Sequence, residues 1–158
     1  MSIQVAQTAP TFSLFDSAMK PVTLADFAGN KNVLLLFFPM AFTGVCTSEL
    51  CGVRDDIAKY NNANAEVLAI SVDSVFTLAK FKEDQAYNFT LLSDFNKEVS
   101  TNYGTIYESF TGMGMKGVSK RSAFVIDKAG VVQYAEVLES AGDVPNFEAI
   151  NEILAKLA

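Results

Sequence analysis

The chain has 158 residues, half of them hydrophobic, with two cysteines, no histidine and a formal net charge of −6 at pH 7. This length is typical of one compact domain, here 1–158, and the acidic balance argues against nucleic acid as a partner, because phosphate groups attract clustered lysine and arginine. The lack of histidine excludes serine–histidine and cysteine–histidine catalysis, and two cysteines are too few for a structural zinc site, so we expect neither a metal nor a cofactor.

The N-terminal residues 1–7 have neither the basic region nor the apolar region of a secretion signal. The longest apolar run, 33–38, is far shorter than the ~20 residues that cross a bilayer. We therefore expect no membrane association and a location in the reducing cytoplasm.

Four segments in the first half of the chain alternate between strand and helix patterns. Residues 33–38 form a continuous apolar run, which predicts a strand buried on both faces. Residues 46–60 carry apolar side chains at spacings of three and four, which predicts an amphipathic helix. Residues 66–72 predict a second buried strand and 75–86 a second helix. Strand, helix and strand at these lengths indicate a right-handed βαβ unit with a parallel strand pair.

The C-terminal third adds a hairpin and a last helix. Two strand patterns, 123–127 and 131–137, are joined by a short turn at 128–130. The last helix is predicted to begin at Asn146 as N-cap. Its apolar face is formed by Phe147, Ile150, Ile153, Leu154 and Leu157. These elements predict an α/β fold with a mixed central sheet flanked by helices.

Residues 39–46 lie between the first strand and the first helix, and ligand sites in α/β sheets lie at such places. Cys46 falls in the first turn of the predicted helix, where unpaired N–H groups and the helix dipole stabilise a thiolate. Pro39 fixes its own backbone and offers no donor, so it can shield the sulfur, while the hydroxyl of Thr43 can bond the sulfur or a ligand. The competing interpretation is that Cys46 is a small buried hydrophobe on the stripe with Leu50 and Val53.

Cys51 follows Cys46 by five residues. In an ideal helix this spacing gives about 7.5 Å of rise and about 140° of rotation, so the two Cα atoms lie roughly 8 to 9 Å apart. A disulfide needs a Cα separation below about 7 Å, so the bond forms only if the start of the helix unwinds. The spacing also differs from the Cys-x-x-Cys pattern of disulfide oxidoreductases.

The sequence around these residues resembles the peroxiredoxins. Their Pro-x-x-x-Thr-x-x-Cys signature is matched by Pro39, Thr43 and Cys46, and the similarity extends over nearly the whole chain. Other matching stretches are 37–39, 46–49, 54–55 and 120–127. The resemblance implies a thioredoxin-like fold and a thiol-dependent reduction of hydrogen peroxide and organic hydroperoxides.

The resemblance also implies roles for single residues. Cys46 matches the cysteine that attacks the peroxide and becomes a sulfenic acid, Thr43 the residue that orients the peroxide, and Pro39 the residue that screens the site. Arg121 matches the arginine that stabilises the thiolate, although a surface arginine before a strand is the competing interpretation. The N–H groups of Val45 and Cys46 would help to hold the peroxide. Glu49 is expected to have a structural role.

The resemblance leaves the subgroup open. Cys51 matches the resolving cysteine of the bacterioferritin-comigratory, or Q-type, peroxiredoxins. However, Gly44-Val45 stands where that group usually has Pro-Gly, and the wider run 37–46 is closer to the alkyl hydroperoxide reductase E-like group, whose members often lack a cysteine at that place. A thioredoxin or glutaredoxin-like reductant and a homodimer are the implied partners. A thiol-disulfide oxidoreductase and a redox sensor of the same fold are the alternative functions.

Overall fold

The computed structural model describes residues 3–158 and contains one mixed seven-stranded sheet. Its strand order is β2-β1-β5-β4-β3-β6-β7. The strands are β1 (Ser13–Asp16), β2 (Pro21–Thr23), β3 (Asn32–Phe37), β4 (Ala65–Ser71), β5 (Thr90–Ser93), β6 (Ser122–Ile126) and β7 (Val132–Val137). The α-helices are α1 (Gly44–Asp55), α2 (Ile57–Asn62), α3 (Val75–Gln85), α4 (Glu98–Asn102) and α5 (Phe147–Leu157), and a 3-10 helix covers Leu24–Phe27.

Strand β3 lies at the centre of the sheet, and all six of its residues are buried. It pairs parallel with β4 and antiparallel with β6, so that Leu35 lies between Leu68 and Phe124. Apolar side chains of α1, α2, α3 and α5 cover one face of the sheet, and those of α4 and the 3-10 helix cover the other. The expected mixed sheet with flanking helices is confirmed. The continuous apolar run predicted this strand because both of its faces are covered.

The single helix predicted over 46–60 is wrong in its start and its continuity. Helix α1 begins two residues earlier, at Gly44, with Thr43 as its extended N-cap. It ends at Asp55, and its C-cap Asp56, with a φ of −103° and a ψ of 14°, separates it from α2. Aspartate favours caps over helix interiors, and the bend lets α2 bury Tyr60 in the core beside the sheet.

The C-terminal elements match their predictions. Strands β6 and β7 pair antiparallel, and the turn between them is closed by a bond from Gly130 N to Asp127 O (2.9 Å). Helix α5 follows Asn146, whose side chain accepts from Ala149 N at 3.1 Å. Its apolar face packs on the core as expected. Among the helices of residues 3–158, none has both the length and the apolar character that crossing a membrane requires.

Candidate active site

Cys46 lies in the first turn of α1, at the carboxyl end of the central strand β3. The first intrahelical bond runs from Thr47 N to Thr43 O (3.0 Å), so the preceding N–H groups of the turn have no partner within the helix. The Cys46 side chain has no solvent exposure and packs in the core with Leu50 and Val53. Cys46 is therefore on the apolar stripe of the helix, as one interpretation required, but its sulfur also has a charged neighbour.

That neighbour is Arg121, which precedes β6 and is only 1% exposed. Its Nη2 donates to the Cys46 sulfur at 3.2 Å, and its Nη1 donates to Glu49 Oε1 at 2.7 Å. Its Nε and Nη2 also donate to the carbonyl oxygen of Ala141, at 3.1 and 3.0 Å. The interpretation of Arg121 as a surface residue is wrong. Three fixed acceptors orient the guanidinium, so it is a preorganised positive charge at the sulfur.

Glu49 lies one helical turn after Cys46 and is buried with Arg121. Its Oε1 accepts from Arg121, whereas its Oε2 has no hydrogen-bond partner within the described residues. Burial raises the pKa of Glu49 to about 7, against the opposing attraction of Arg121. The expected structural acid is thus a buried carboxyl group that accepts from Nη1 of Arg121, while Nη2 donates to the Cys46 sulfur.

The structure shows the hydrogen bond of Thr43 and the burial of Pro39. The Thr43 hydroxyl donates to Met40 O at 2.7 Å, so it does not donate to the sulfur, and its oxygen is left to accept from a ligand. Thr43 lines a cavity of about 480 Å³ at the site. Pro39 is buried after β3 and does not line this cavity.

This cavity lies beside the site: Arg121 lines it, whereas Cys46 is fully buried and does not. It is lined by Thr43, Gly44, Val45, Tyr107, Ser109, Phe110, Thr111, Arg121, Glu139, Ala141 and Gly142. Val45 therefore lies in the wall of this cavity. The aromatic wall comes from Tyr107 and Phe110, whose rings stack with their centroids 5.9 Å apart. Neither residue is part of a sequence motif, so neither was predicted to belong to the site.

The segment before α1 has an anchor that the sequence did not reveal. Asp73, in the connection after β4, accepts from Ala41 N at 2.8 Å and from Ser71 Oγ at 2.7 Å. Phe42, which follows Ala41, has a φ of +67°. Residues other than glycine adopt this conformation only when their surroundings impose it. The Asp73 carboxylate therefore fixes the backbone immediately before Thr43.

Cys51 lies in the same unbroken helix as Cys46, and both cysteines are free thiols. It is half-buried, with its sulfur 3.5 Å from Gln85 Oε1 and 3.8 Å from Tyr87 Oη. The structure thus brings Cys46 and Arg121 together beside Thr43 and Val45, while Cys51 is held by a different group of residues.

A mixed sheet whose central strand leads into a helix that begins with a buried cysteine, with a buried arginine bonded to its sulfur, is the arrangement of a thioredoxin-like thiol enzyme. Residues 5–135 match the profile of the AhpC/TSA family, and the chain belongs to that family.

Relatives from two groups have the same sequence identity to the chain but cover different shares of it. Alkyl hydroperoxide reductase E of Mycobacterium tuberculosis is 38% identical over 157 residues, which cover 98% of each chain. Peroxiredoxin Bcp of Escherichia coli K12 is 38% identical over 133 residues, 84% of each chain. The crystal structure of peroxidoxin BcpB from Mycobacterium tuberculosis superposes with a TM-score of 0.86 at 28% identity, over 99% of both chains. The predicted family, the thioredoxin-like fold and the function of a thiol-dependent peroxidase are confirmed.

Proposed function

We propose that Cys46 is the thiolate that attacks the peroxide and that Arg121 is its electrostatic partner. The observation that supports this most directly is the 3.2 Å distance from Arg121 Nη2 to the Cys46 sulfur, within a buried helix start. A guanidinium that is already oriented stabilises charge as it moves from sulfur to oxygen, without the cost of reorganising solvent. The chain has no histidine that could act as a base. Arg121 and the N–H groups of the first turn of α1 instead favour loss of the thiol proton by stabilising the thiolate.

The proposed first step is an in-line displacement. The Cys46 thiolate attacks one peroxide oxygen, the S–O bond forms, and the O–O bond breaks. The second oxygen leaves with the electron pair and takes the proton that the thiol released, which yields water or an alcohol and a sulfenic acid on Cys46. The Thr43 hydroxyl oxygen accepts from the peroxide, the N–H groups of Val45 and Cys46 donate to it, and Pro39 shields the sulfur from behind.

In the proposed second step, Cys51 resolves the sulfenic acid to an intramolecular disulfide. Cys46 and Cys51 lie in one continuous helix, so α1 unwinds at its start before the bond forms. A thioredoxin or glutaredoxin-like protein then reduces the disulfide by thiol exchange. Because this cycle returns both cysteines to thiols, we place the enzyme in the reducing cytoplasm.

The walls of the cavity support both hydrogen peroxide and organic hydroperoxides as substrates. Val45, Tyr107 and Phe110 give it an apolar side that suits an alkyl group, while Thr43 and Arg121 give it a polar end. An organic hydroperoxide would place its alkyl group against Phe110 and its peroxide oxygens toward Cys46.

We also propose that the protein forms a homodimer. Phe15, Phe76 and Phe95 are all exposed and line one cavity of about 460 Å³ at the β1–β5 side of the sheet. Contiguous apolar surfaces of this kind usually mark an interaction site in a water-soluble protein. A second copy of the chain would cover this surface, which we call the phenylalanine surface.

The test of the proposed function is stopped-flow oxidation of the reduced protein by hydrogen peroxide, with mass spectrometry of the quenched product. Rapid oxidation that ends in a Cys46–Cys51 bond supports both steps. Rapid oxidation that ends in a sulfenic acid on Cys46 supports the first step and removes Cys51 from the cycle. Oxidation no faster than that of a free thiol would contradict the proposed role of Cys46 and favour the thiol-disulfide oxidoreductase.

A further inference from the structure

The connection between α3 and β5 holds helix α1 at several points. Arg54 Nη1 donates to Gln85 O at 2.6 Å, and Asn88 Nδ2 donates to Arg54 O at 3.2 Å. The Cys51 thiol donates to Gln85 Oε1 at 3.5 Å, and Tyr87 Oη donates to Thr47 O at 3.3 Å. We call residues 85–88 the α1 clamp. Its contacts reach α1 from the second turn to the last.

Tyr87 makes the contact closest to the start of the helix. The carbonyl oxygen of Thr47, which accepts from Tyr87, is also the α-helical acceptor for the N–H of Cys51. The ring of Tyr87 is buried, with its centroid 5.1 Å from that of Phe81 and 5.2 Å from that of Phe89. Packing against these two rings holds the Tyr87 hydroxyl in place, so Tyr87 stabilises the turn of α1 that joins Cys46 to Cys51.

The same hydroxyl lies 3.8 Å from the Cys51 sulfur. The hydroxyl proton is directed to Thr47 O and the thiol proton to Gln85 Oε1, so the Tyr87 hydroxyl and the Cys51 sulfur lie in polar contact without a proton between them. Both contacts hold the Cys51 side chain against the clamp. In a regular helix this side chain points about 140° away from that of Cys46. In this position Cys51 cannot reach the sulfur of a Cys46 sulfenic acid.

We propose that Tyr87, together with Gln85, is a positioning residue that restrains the resolving step. This inference rests on the proposed function, in which Cys51 resolves Cys46. The Tyr87–Thr47 bond and the Cys51 contacts must break before the start of α1 unwinds. The Cys51 sulfur then attacks the sulfenic sulfur, the S–O bond breaks, and the hydroxide leaves as water with the proton from Cys51.

The clamp therefore sets how long the sulfenic acid of Cys46 persists. A long-lived sulfenic acid reacts with a second peroxide and becomes a sulfinic acid, whereas a short-lived one becomes the disulfide. Tyr87 thus governs the partition between reversible and irreversible oxidation without contacting the peroxide.

The test is Tyr87→Phe, which removes the hydroxyl and keeps the ring. We expect the Cys46–Cys51 disulfide to form about three- to tenfold faster, the range that follows from losing one hydrogen bond. The sulfinic fraction at high peroxide should fall, and the rate of the first oxidation should stay unchanged. The matched control is Tyr103→Phe, which removes another buried bond from a tyrosine hydroxyl to a backbone carbonyl, that of Pro10 (2.6 Å), far along the chain from α1. Disulfide formation in Tyr87→Phe at the wild-type rate or slower would overturn the proposal.

A second measurement separates the clamp from the catalytic cycle. In a Cys46→Ser background, iodoacetamide reports on Cys51 alone. We expect Tyr87→Phe to raise the rate of Cys51 alkylation several-fold and Tyr103→Phe to leave it unchanged. Equal alkylation with and without the Tyr87 hydroxyl would overturn the restraint on Cys51. Failure of wild-type protein to form any Cys46–Cys51 bond would instead overturn the resolving step of the proposed function, and the role of Tyr87 in that step with it.

Discussion

The guanidinium of Arg121 donates to two side chains of α1, the Cys46 sulfur at 3.2 Å and the Glu49 carboxyl group at 2.7 Å. A buried cation is costly unless it is paired with a negative group. The charge of the Glu49 carboxyl group therefore affects how strongly Arg121 stabilises negative charge on the sulfur. Burial raises the pKa of Glu49 to about 7, so near neutral pH this carboxyl group is partly protonated. A protonated Glu49 still accepts from the guanidinium but no longer offers it a negative charge.

We predict that Arg121→Ala slows the oxidation of Cys46 by hydrogen peroxide at least about tenfold, or about 1.4 kcal/mol of activation free energy. The variant loses the only guanidinium contact of the sulfur that the structure shows among residues 3–158. Arg121→Lys is the matched comparison, because it keeps a charge but cannot bond Cys46, Glu49 and Ala141 together. Stopped-flow kinetics measure the rate, and an unchanged rate in Arg121→Ala would remove Arg121 from the site.

We predict that Glu49 makes stability depend on pH. The pKa of Glu49 is raised from 4.5 to about 7, so the folded protein holds this proton more tightly than the unfolded chain does. Its contribution to the free energy of unfolding is then fully present below about pH 4.5 and is lost as the pH rises to about 7.

Denaturant unfolding of wild type and Glu49→Gln across this pH range checks the prediction. The free energy of unfolding of the wild type should fall relative to that of Glu49→Gln as the pH rises, because glutamine does not titrate. A constant difference between the two proteins would show that Glu49 has its ordinary pKa in the folded state.

At the scale of elements, the sequence predicted the strands and helices that are long enough to have a clear apolar pattern. Strand β3 and helix α5 have strong patterns, and both were placed within one or two residues. The sequence pattern did not predict β1, β2, β5 or α4, which are five residues or shorter. Such short segments carry too little pattern to separate from loops. Their place is decided by pairing with distant strands, as when Phe15 of β1 lies beside Ser93 of β5.

Only part of the candidate site could be predicted from the sequence. Pro39, Thr43 and Cys46 belong to one short motif, so the sequence showed them together. Arg121 was identified only through the family resemblance, and the clamp residue Tyr87 and the anchor Asp73 were not identified. Their partners are backbone groups, Thr47 O and Ala41 N, and a backbone partner leaves no trace in the sequence.

We predict that Asp73→Ala slows the oxidation of Cys46 several-fold, because the connection before α1 loses the acceptor of Ala41 N. A misplaced Thr43 would then orient the peroxide poorly, and small displacements of orienting groups are costly in catalysis. Asp127→Ala is the control, since Asp127 accepts from Ala129 N and Val131 N in the hairpin turn. Equal oxidation rates in the two variants, with folding verified by circular dichroism, would contradict a role for Asp73 in the site.

At the scale of the whole molecule, the sheet order places the thiol site and the phenylalanine surface on different elements. The site uses the ends of β3 and β6 and the start of α1, whereas the surface uses β1, the start of α3 and the segment after β5. Among residues 3–158, no residue lines both the phenylalanine surface and the cavity beside Arg121.

We predict that Phe76→Glu shifts the protein from dimer to monomer. Phe76 is 72% exposed in the chain and lies in the wall of the phenylalanine surface, so a carboxylate there would be buried without a partner in the dimer. Val5→Glu is the control, because Val5 is exposed as well but lies outside that surface. Sedimentation equilibrium of the reduced proteins measures the mass. If wild type and Phe76→Glu have the same mass, the phenylalanine surface is not the interface. If Phe76→Glu is monomeric and oxidises Cys46 at the wild-type rate, the site acts within a single chain.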